Sequence, residues 1–207
     1  MDEAALLVEL GASLFRRGYS VGTAGNISVR IPGGFLMTPT NSPLGRLDAA
    51  RISRLDEAWN HVGGDKPSKE VFLHRAFLAA RPQAGAVVHL HSTHATAISC
   101  LAAPGETQPI PPLTPYFVMR VGRILPVIPY YRPGDAAMEP AIHAAALEAR
   151  AILLANHGPV VSAATLTDAV HAAEELEEAA RLALLLRDKP ARELTPAQVE
   201  DLLATFG

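Results

Sequence analysis

The segment Ala86-Val-Val-His-Leu-His91 joins a short apolar run to a pair of histidines. Its aliphatic and β-branched residues predict a buried strand. Because side chains two residues apart in a strand point to the same side of a sheet, His89 and His91 should emerge together. Two imidazoles on one side supply two ligands of a metal site. The alternative interpretation is that each histidine is only hydrogen-bonded at a strand end.

A third histidine follows a second apolar run. His157 lies in Asn156-His-Gly158, directly after the run Ala151-Ile-Leu-Leu-Ala155. We therefore expect it where another strand ends and the chain turns. A catalytic zinc-like ion commonly takes three protein ligands and keeps one position open. His157 is the natural third ligand. His61, His74, His143 and His171 are interpreted as structural.

The composition is that of one globular domain spanning residues 1–207. Hydrophobic residues make up 49% and charged residues 19%, with a net charge of -3, so no basic surplus indicates a nucleic-acid partner. No apolar run approaches the length of a bilayer, and the acidic start lacks the features of a signal peptide. We expect a cytoplasmic protein without a membrane partner. The single cysteine, Cys100, excludes an internal disulfide and is predicted to be a small buried side chain.

Hydrophobic periodicity predicts helices interspersed with strands and leaves the strand direction open. Helices introduced by a polar capping residue are expected after Asp2, Ser68, Ser92, Asp135 and Thr195. Strands are expected at 27–31, 35–37, 51–55, 58–62, 123–128, 151–155 and 159–161, with 123–128 at a sheet edge because of Pro126. The proline-rich stretch 104–115 is predicted to be irregular. A long helix over 167–187 carries Glu174, Glu175, Glu177 and Glu178, which we interpret as its solvated face.

Small polar residues concentrate in Thr38-Pro-Thr-Asn-Ser-Pro-Leu-Gly45. Several such donors can converge on phosphate or carboxylate oxygens without bulky side chains between them. The helix start after Ser68 adds a hydroxyl, backbone donors and the carboxylate of Glu70. Ordinary turn chemistry and helix capping explain the same residues. The residues alone therefore leave anion binding open.

Five motifs stand in one order along nearly the whole chain and resemble the class II aldolase/adducin family. They are Thr23-Ala-Gly-Asn-Ile-Ser28, Thr38-Pro-Thr40, Pro67-Ser-Lys-Glu70, Val88-His-Leu-His-Ser-Thr-His94 and Asn156-His-Gly158. Within that family, segments 65–70, 44–47 and 114–116 look most like the enzymes that decarboxylate 3-oxo-tetronate 4-phosphate. The resemblance implies a single three-layer α/β domain, with a central, mostly antiparallel sheet flanked by helices. It also implies a homotetramer with active sites at subunit interfaces.

The resemblance further implies the roles of individual residues. By position, His89, His91 and His157 match the family's metal ligands, and three imidazoles favour Zn²⁺, with Mn²⁺ or Co²⁺ as alternatives. Glu70 matches an acidic residue that binds the metal in the resting enzyme or acts as acid and base. Tyr116 matches a proton donor that reaches a neighbouring subunit's site. The phosphate-binding positions fall on Gly25, Asn26, Thr40, Asn41, Ser68 and Lys69.

The implied reaction is metal-dependent decarboxylation of 3-oxo-tetronate 4-phosphate to dihydroxyacetone phosphate and carbon dioxide, through a metal-stabilised enediolate. An aldolase of the fuculose-phosphate type forms the same enediolate by cleaving a ketose 1-phosphate, so the motifs leave that alternative open. A non-catalytic, adducin-like module is a second alternative. Such modules tend to lose metal ligands, whereas this chain keeps three histidines and Glu70.

Overall fold

One eight-stranded sheet organises the fold, as seen in a computed structural model that describes residues 2–206. Met1 and Gly207, the two ends of the predicted domain, lie outside the described residues. The strands are β1 (Asn26–Ile31), β2 (Gly34–Met37), β3 (Ser53–Asp56), β4 (His61–Gly63), β5 (Ala86–His89), β6 (Val127–Ile128), β7 (Ala151–Leu154) and β8 (Gly158–Ala163). Their order across the sheet is β4-β3-β2-β1-β5-β8-β7-β6. Neighbours are antiparallel except β6 with β7, which confirms the predicted sheet.

Helices cover both faces of this sheet. They are α1 (Glu3–Arg16), α2 (Val71–Ala80), α3 (Thr93–Leu101), α4 (Pro115–Arg120), α5 (Glu139–Glu148), α6 (Leu166–Leu186) and α7 (Pro196–Phe206). Helices α2 and α5 pack on one face, and the other five pack on the opposite face. Within residues 2–206, none of the helices combines the length and the apolar character that crossing a bilayer requires.

Strand β5 shows why the sheet has two covered faces. Val88 belongs to the core that includes Leu14 of α1, whereas Val87 belongs to the core that includes Phe77 of α2 and Ile142 of α5. All five side chains are fully buried. Burying an aliphatic or aromatic side chain of this size stabilises the fold by about 1.5–3 kcal/mol. Alternation along a doubly covered strand therefore produces the three layers, as predicted.

Two predicted helix starts are confirmed by their capping bonds. Asp2 accepts a hydrogen bond from the backbone N–H of Ala4 at 3.3 Å, at the start of α1. At α7, the backbone N–H of Thr195 donates to the Gln198 side chain at 2.9 Å, and the Thr195 hydroxyl oxygen accepts from the Gln198 N–H at 3.3 Å. This reciprocal pair is a capping box.

The prediction that Ser68 caps α2 is wrong. Helix α2 begins at Val71, and Glu70 occupies the capping position. Pro67 forms a β-bridge with Pro39, and the Ser68 N–H donates to the Thr38 carbonyl at 3.2 Å. These long-range bonds keep the chain extended before Glu70, so the helix starts later than its local pattern indicates.

Two other predictions need correction. The strand predicted over 123–128 shortens to β6, which lies at the sheet edge and runs parallel to β7. Cys100 is exposed rather than buried. Helix α3 buries Ala95, Ile98 and Ser99, which share one side of the helix, and position 100 lies off that side. The stretch 104–114 contains no helix or strand, as predicted.

Candidate metal centre and active site

Three histidine side chains converge at one edge of the sheet. Strand β5 ends at His89, and His91 follows two residues later. His157 lies in the short turn between β7 and β8, and β8 pairs with β5. The Nε2 atom of His91 is 3.1 Å from that of His89 and 3.0 Å from that of His157. The structure thus brings together all three predicted metal ligands.

Hydrogen bonding and burial prepare these imidazoles for a cation. The Nδ1–H of His89 donates to the Pro159 carbonyl at 2.9 Å, which leaves its Nε2 lone pair facing the other two rings. Burial lowers the pKa of His89. Burial, and then a neighbouring imidazole, lowers the pKa of His91 and of His157 to about 4. All three rings are therefore neutral at physiological pH, the form that binds a metal.

The spacing of the three Nε2 atoms fits a divalent ion. Their potential ligand atoms all lie within 4.8 Å of one another. An ion with tetrahedral bonds of about 2.0–2.1 Å separates its nitrogen ligands by roughly 3.3 Å. The two shorter separations in the cluster are close to this value, so small side-chain shifts suffice to accept the ion.

Glu70 closes one side of the histidine cluster. Its Oε2 is 3.7 Å from the His89 Nε2, and its Oε1 is 3.7 Å from the His157 Nε2. The Asn26 side-chain nitrogen donates to Oε2 at 2.8 Å. Burial opposes ionisation of Glu70, but the neighbouring histidines and the Asn26 hydrogen bond together lower its pKa. The carboxylate is thus ionised and held against the cluster.

A cavity of about 370 Å³ opens in front of this cluster. Its lining includes Glu70, His91, His157 and all six predicted phosphate-binding residues, which are Gly25, Asn26, Thr40, Asn41, Ser68 and Lys69. His89 is fully buried behind them. Gly25 has φ +80°, and a Cβ there would lie 2.9 Å from the His89 carbonyl oxygen. A larger residue at Gly25 would therefore push the cavity wall away from the histidines.

Tyr116, unlike the other predicted site residues, belongs neither to the lining of this cavity nor to the histidine cluster. It lies in the first turn of α4 and is 58% exposed. Within a single chain, its hydroxyl group is therefore presented at the surface rather than to the histidine cluster.

Glu177 has a structural role that sequence reasoning missed. It was expected on the solvated face of α6, yet its side chain is buried. The carboxylate accepts 2.8 Å hydrogen bonds from the backbone N–H groups of His94 and Ala95, at the start of α3. It thereby caps the helix that follows His91, where Ser92 makes no capping bond. The available signal was that position 177 falls on the buried stripe of Ala173, Leu176 and Ala180.

His74 is a second residue that sequence reasoning placed apart from the site. It is fully buried, with Nδ1 2.8 Å from the Ser28 hydroxyl oxygen and Nε2 2.5 Å from the Asn26 side-chain oxygen Oδ1. Asn26 in turn contacts Glu70, so His74 lies behind the cavity wall. Glu70 and His74 are four residues apart, so both lie on the same side of the helix. This spacing was the sequence signal that His74 lies near Glu70.

The fold and the site together define a three-layer α/β enzyme with a candidate metal centre. The model of the family named Class II Aldolase and Adducin N-terminal domain matches residues 5–184, and the chain belongs to this family. The resemblance found in the sequence is thereby confirmed.

Similar proteins come from several bacteria. The chain is 50% identical to the 3-oxo-tetronate 4-phosphate decarboxylase of Haemophilus influenzae over 203 residues, covering 98% of this chain and 96% of that protein. It is 33% identical to an Escherichia coli L-fuculose phosphate aldolase, covering 98% and 93% of the two chains. The crystal structure of YgbL from Klebsiella pneumoniae superposes with a TM-score of 0.92 at 48% identity and 96% coverage of both chains.

Replacing Gly158 by alanine should disrupt the histidine cluster. Gly158 has φ +152°, and an added Cβ would lie 2.3 Å from the carbonyl oxygen of Leu90, between His89 and His91. We expect Gly158→Ala to lose most bound metal and to lower the free energy of unfolding by about 1–3 kcal/mol. Metal analysis after gel filtration and urea denaturation measure the two effects.

Gly33→Ala is the matched control for this variant. Gly33 also has a positive φ, +80°, but a Cβ there meets nothing within 4 Å. It should lower stability by about 1–2 kcal/mol through backbone strain alone and keep the metal. Equal metal content in the two variants would contradict the contact argument.

The buried His74 should make stability fall as the solution becomes acidic. Burial is the main cause that lowers its pKa to about 3, whereas an unfolded histidine titrates near 6.5. Between these values the unfolded chain binds a proton that the folded chain does not, so acid favours unfolding by about 1.4 kcal/mol per pH unit.

His74→Leu removes this proton linkage while leaving the three clustered histidines in place. In metal-free protein, its free energy of unfolding should depend on pH less steeply than that of the wild type by about 1.4 kcal/mol per unit between pH 6 and 4. Urea denaturation at a series of pH values measures both slopes. Identical slopes would show that His74 titrates normally in the folded protein.

Proposed function

We propose that this protein decarboxylates 3-oxo-tetronate 4-phosphate to dihydroxyacetone phosphate and carbon dioxide. The observation that carries the proposal is the 50% identity, over nearly the whole chain, to a protein with that name, against 33% to an aldolase. The cavity supports it, because donors suited to a phosphate and a cluster suited to a metal line the same space. These two features match the two ends of the substrate.

The phosphate group binds among the small polar residues of the cavity. Lys69 supplies a positive charge, and the side chains of Thr40, Asn41 and Ser68 supply short donors. Gly25 and Asn26 add a close backbone approach and an amide. Binding energy from this remote group fixes the orientation of the reacting carbons at the histidine cluster.

His89, His91 and His157 hold a divalent metal ion, and we propose Zn²⁺ because three neutral imidazoles suit it. When bound, the ion supplies Lewis-acid stabilisation of the negative charge that develops on substrate oxygens, commonly worth several kcal/mol. Mn²⁺ and Co²⁺ are alternatives with the same chemical role. The surrounding side chains orient the substrate so that its C2 and C3 oxygens face the three rings.

Glu70 carries a proton during the reaction. The C1–C2 bond breaks, carbon dioxide leaves, and the electron pair moves from C2 toward the C3 oxygen. The ionised Glu70 takes the proton of the C2 hydroxyl and delivers that proton to the C2 carbon. A proton from solvent restores the hydroxyl. One proton is consumed overall, and the product is dihydroxyacetone phosphate.

Assembly completes the site in this proposal. We propose a homotetramer with active sites at subunit interfaces, in which the exposed Tyr116 of one subunit is the alternative to Glu70 as donor of the proton to C2 in the cavity of another. A cytoplasmic location follows from the substrate, since a doubly charged phosphate does not cross a bilayer unaided.

An aldolase activity is the second candidate. Cleavage of a ketose 1-phosphate leaves the same electron pair on the carbon next to a carbonyl group, so one site serves both reactions. The specific observation in its favour is the 33% identity to L-fuculose phosphate aldolase over 98% of this chain. A non-catalytic module is disfavoured, because the three histidines and Glu70 converge at one cavity.

A coupled assay tests the two activities with one detector. Metal-loaded protein is incubated with 3-oxo-tetronate 4-phosphate, formed in place by a kinase, and dihydroxyacetone phosphate is followed with an NADH-dependent reductase. We expect rapid product formation that a chelator abolishes. L-Fuculose 1-phosphate, whose cleavage yields the same product, is assayed in parallel. Product from that substrate alone would overturn the decarboxylase proposal in favour of the aldolase.

Substitutions at the centre should separate metal binding from proton transfer. His89→Ala should lose metal and activity together, because one of three ligands is gone. Glu70→Gln should keep most of the metal and lower kcat by about 10²–10⁴-fold, because an amide cannot carry the proton. Metal analysis and the coupled assay measure both. His143→Ala, at an exposed position of α5, is the control and should change neither. An active, metal-free His89→Ala enzyme would contradict the mechanism.

A further inference from the structure

A chain of buried polar side chains runs from the interior to Glu70. Its members are Ser28, His74, Asn26 and Glu70, and each is at most 5% exposed. The Ser28 hydroxyl is 2.8 Å from the His74 Nδ1, and the His74 Nε2 is 2.5 Å from the Asn26 Oδ1. The Asn26 Nδ2 is 2.8 Å from the Glu70 Oε2. Neither Ser28 nor His74 has a role in the reaction proposed above.

The backbone explains why these four residues meet. Asn26 and Ser28 are two residues apart in β1, so both side chains point to the same face of the sheet. Glu70 and His74 are four residues apart, at the start and in the first turns of α2, so both face that strand. Asn26 and Ser28 of β1 thus face Glu70 and His74 in a buried layer between the strand and α2.

Glu70 determines which group donates and which accepts in each of these three hydrogen bonds. A carboxylate only accepts, so the Asn26 amide turns its NH₂ group to Glu70 and its carbonyl oxygen to His74. The His74 Nε2 must then carry the proton. Because burial keeps the ring neutral, Nδ1 is unprotonated and accepts from the Ser28 hydroxyl.

The reversed arrangement of the amide is unfavourable. Flipping Asn26 would bring its carbonyl oxygen against the Glu70 carboxylate, so two acceptors would face each other. It would also turn the NH₂ group toward a protonated Nε2. Two mismatched contacts in a buried layer cost far more than they do in water. Glu70 and His74 therefore hold the two ends of the amide in one orientation.

We propose that His74 is a positioning residue that acts through Asn26 to hold Glu70 against the histidine cluster. The proposal rests on the function assigned above, in which Glu70 carries the proton. His74 touches neither the cavity nor the three metal-binding rings. Its loss leaves the amide free to rotate and the carboxylate without a fixed donor. Turnover then falls more than substrate or metal binding does.

His74→Leu and His74→Gln form the primary pair of variants. Leucine fills the space without a hydrogen bond, whereas the glutamine amide nitrogen can donate to Asn26 as Nε2–H does. We expect His74→Leu to lower kcat about 10–100-fold, with less than a threefold change in KM and full metal content. His74→Gln should recover kcat to within about fivefold of the wild type. Equal kcat values for the two variants would overturn the proposal.

A double-mutant cycle with Asn26→Ala separates positioning from packing. If His74 acts through Asn26, His74→Leu should change kcat less than about twofold once Asn26 is alanine. Independent packing effects would multiply instead, and that result would overturn the proposal. Phe77→Leu is the stability control, because Phe77 is a buried residue of α2 that is not one of the four hydrogen-bonded residues. It should lower the melting temperature and leave kcat unchanged.

The histidine tautomer gives a readout that needs no activity. In metal-free protein near pH 7, ¹⁵N chemical shifts should show the His74 ring protonated at Nε2 and bare at Nδ1. The opposite tautomer would overturn the inference whatever the enzyme does. The expected tautomer with no decarboxylation of the substrate would instead reject the proposed function and leave the hydrogen-bond chain intact.

Discussion

Antiparallel pairing of β5 with β8 is the constraint on which the site depends. It sets His89 opposite Val160, so the end of one strand and the start of the other share an edge of the sheet. The turn before β8 then carries His157 beside His91. The Pro159 carbonyl also accepts the Nδ1–H of His89 and fixes that ring. The sheet thus sets the spacing of the three imidazoles, so the candidate site is preorganised.

Features of the sequence that depend on near neighbours were predicted well. The histidine pair, the strands β1 and β2, and the caps at Asp2 and Thr195 each involve residues only a few positions apart. The family resemblance added what periodicity could not, namely the strand directions and the gathering of the 25–41 and 68–70 segments at the histidines. Motif order indicates which segments meet, even where local patterns do not.

Long-range polar contacts were beyond the reach of the sequence. Glu177 caps a helix start 83 residues earlier in the chain, and His74 bonds to a side chain 48 residues earlier. A buried glutamate and a solvated one have the same local pattern until the packing of α6 is known. The late start of α2 has the same origin, because the bridge between Pro39 and Pro67 overrides the local capping signal. Cys100 was misplaced because general cysteine statistics outweighed the helical position.

The capping of α3 by Glu177 has a consequence for biosynthesis. The loop that bears His91 comes from the first half of the chain, while His157 and the capping carboxylate come from the second half. During translation, the N-terminal strands leave the ribosome before the residues that complete their polar edge. The three histidines therefore come together only after most of the chain has been made. Any ion that needs all three imidazoles can therefore be bound only late in the maturation of this protein.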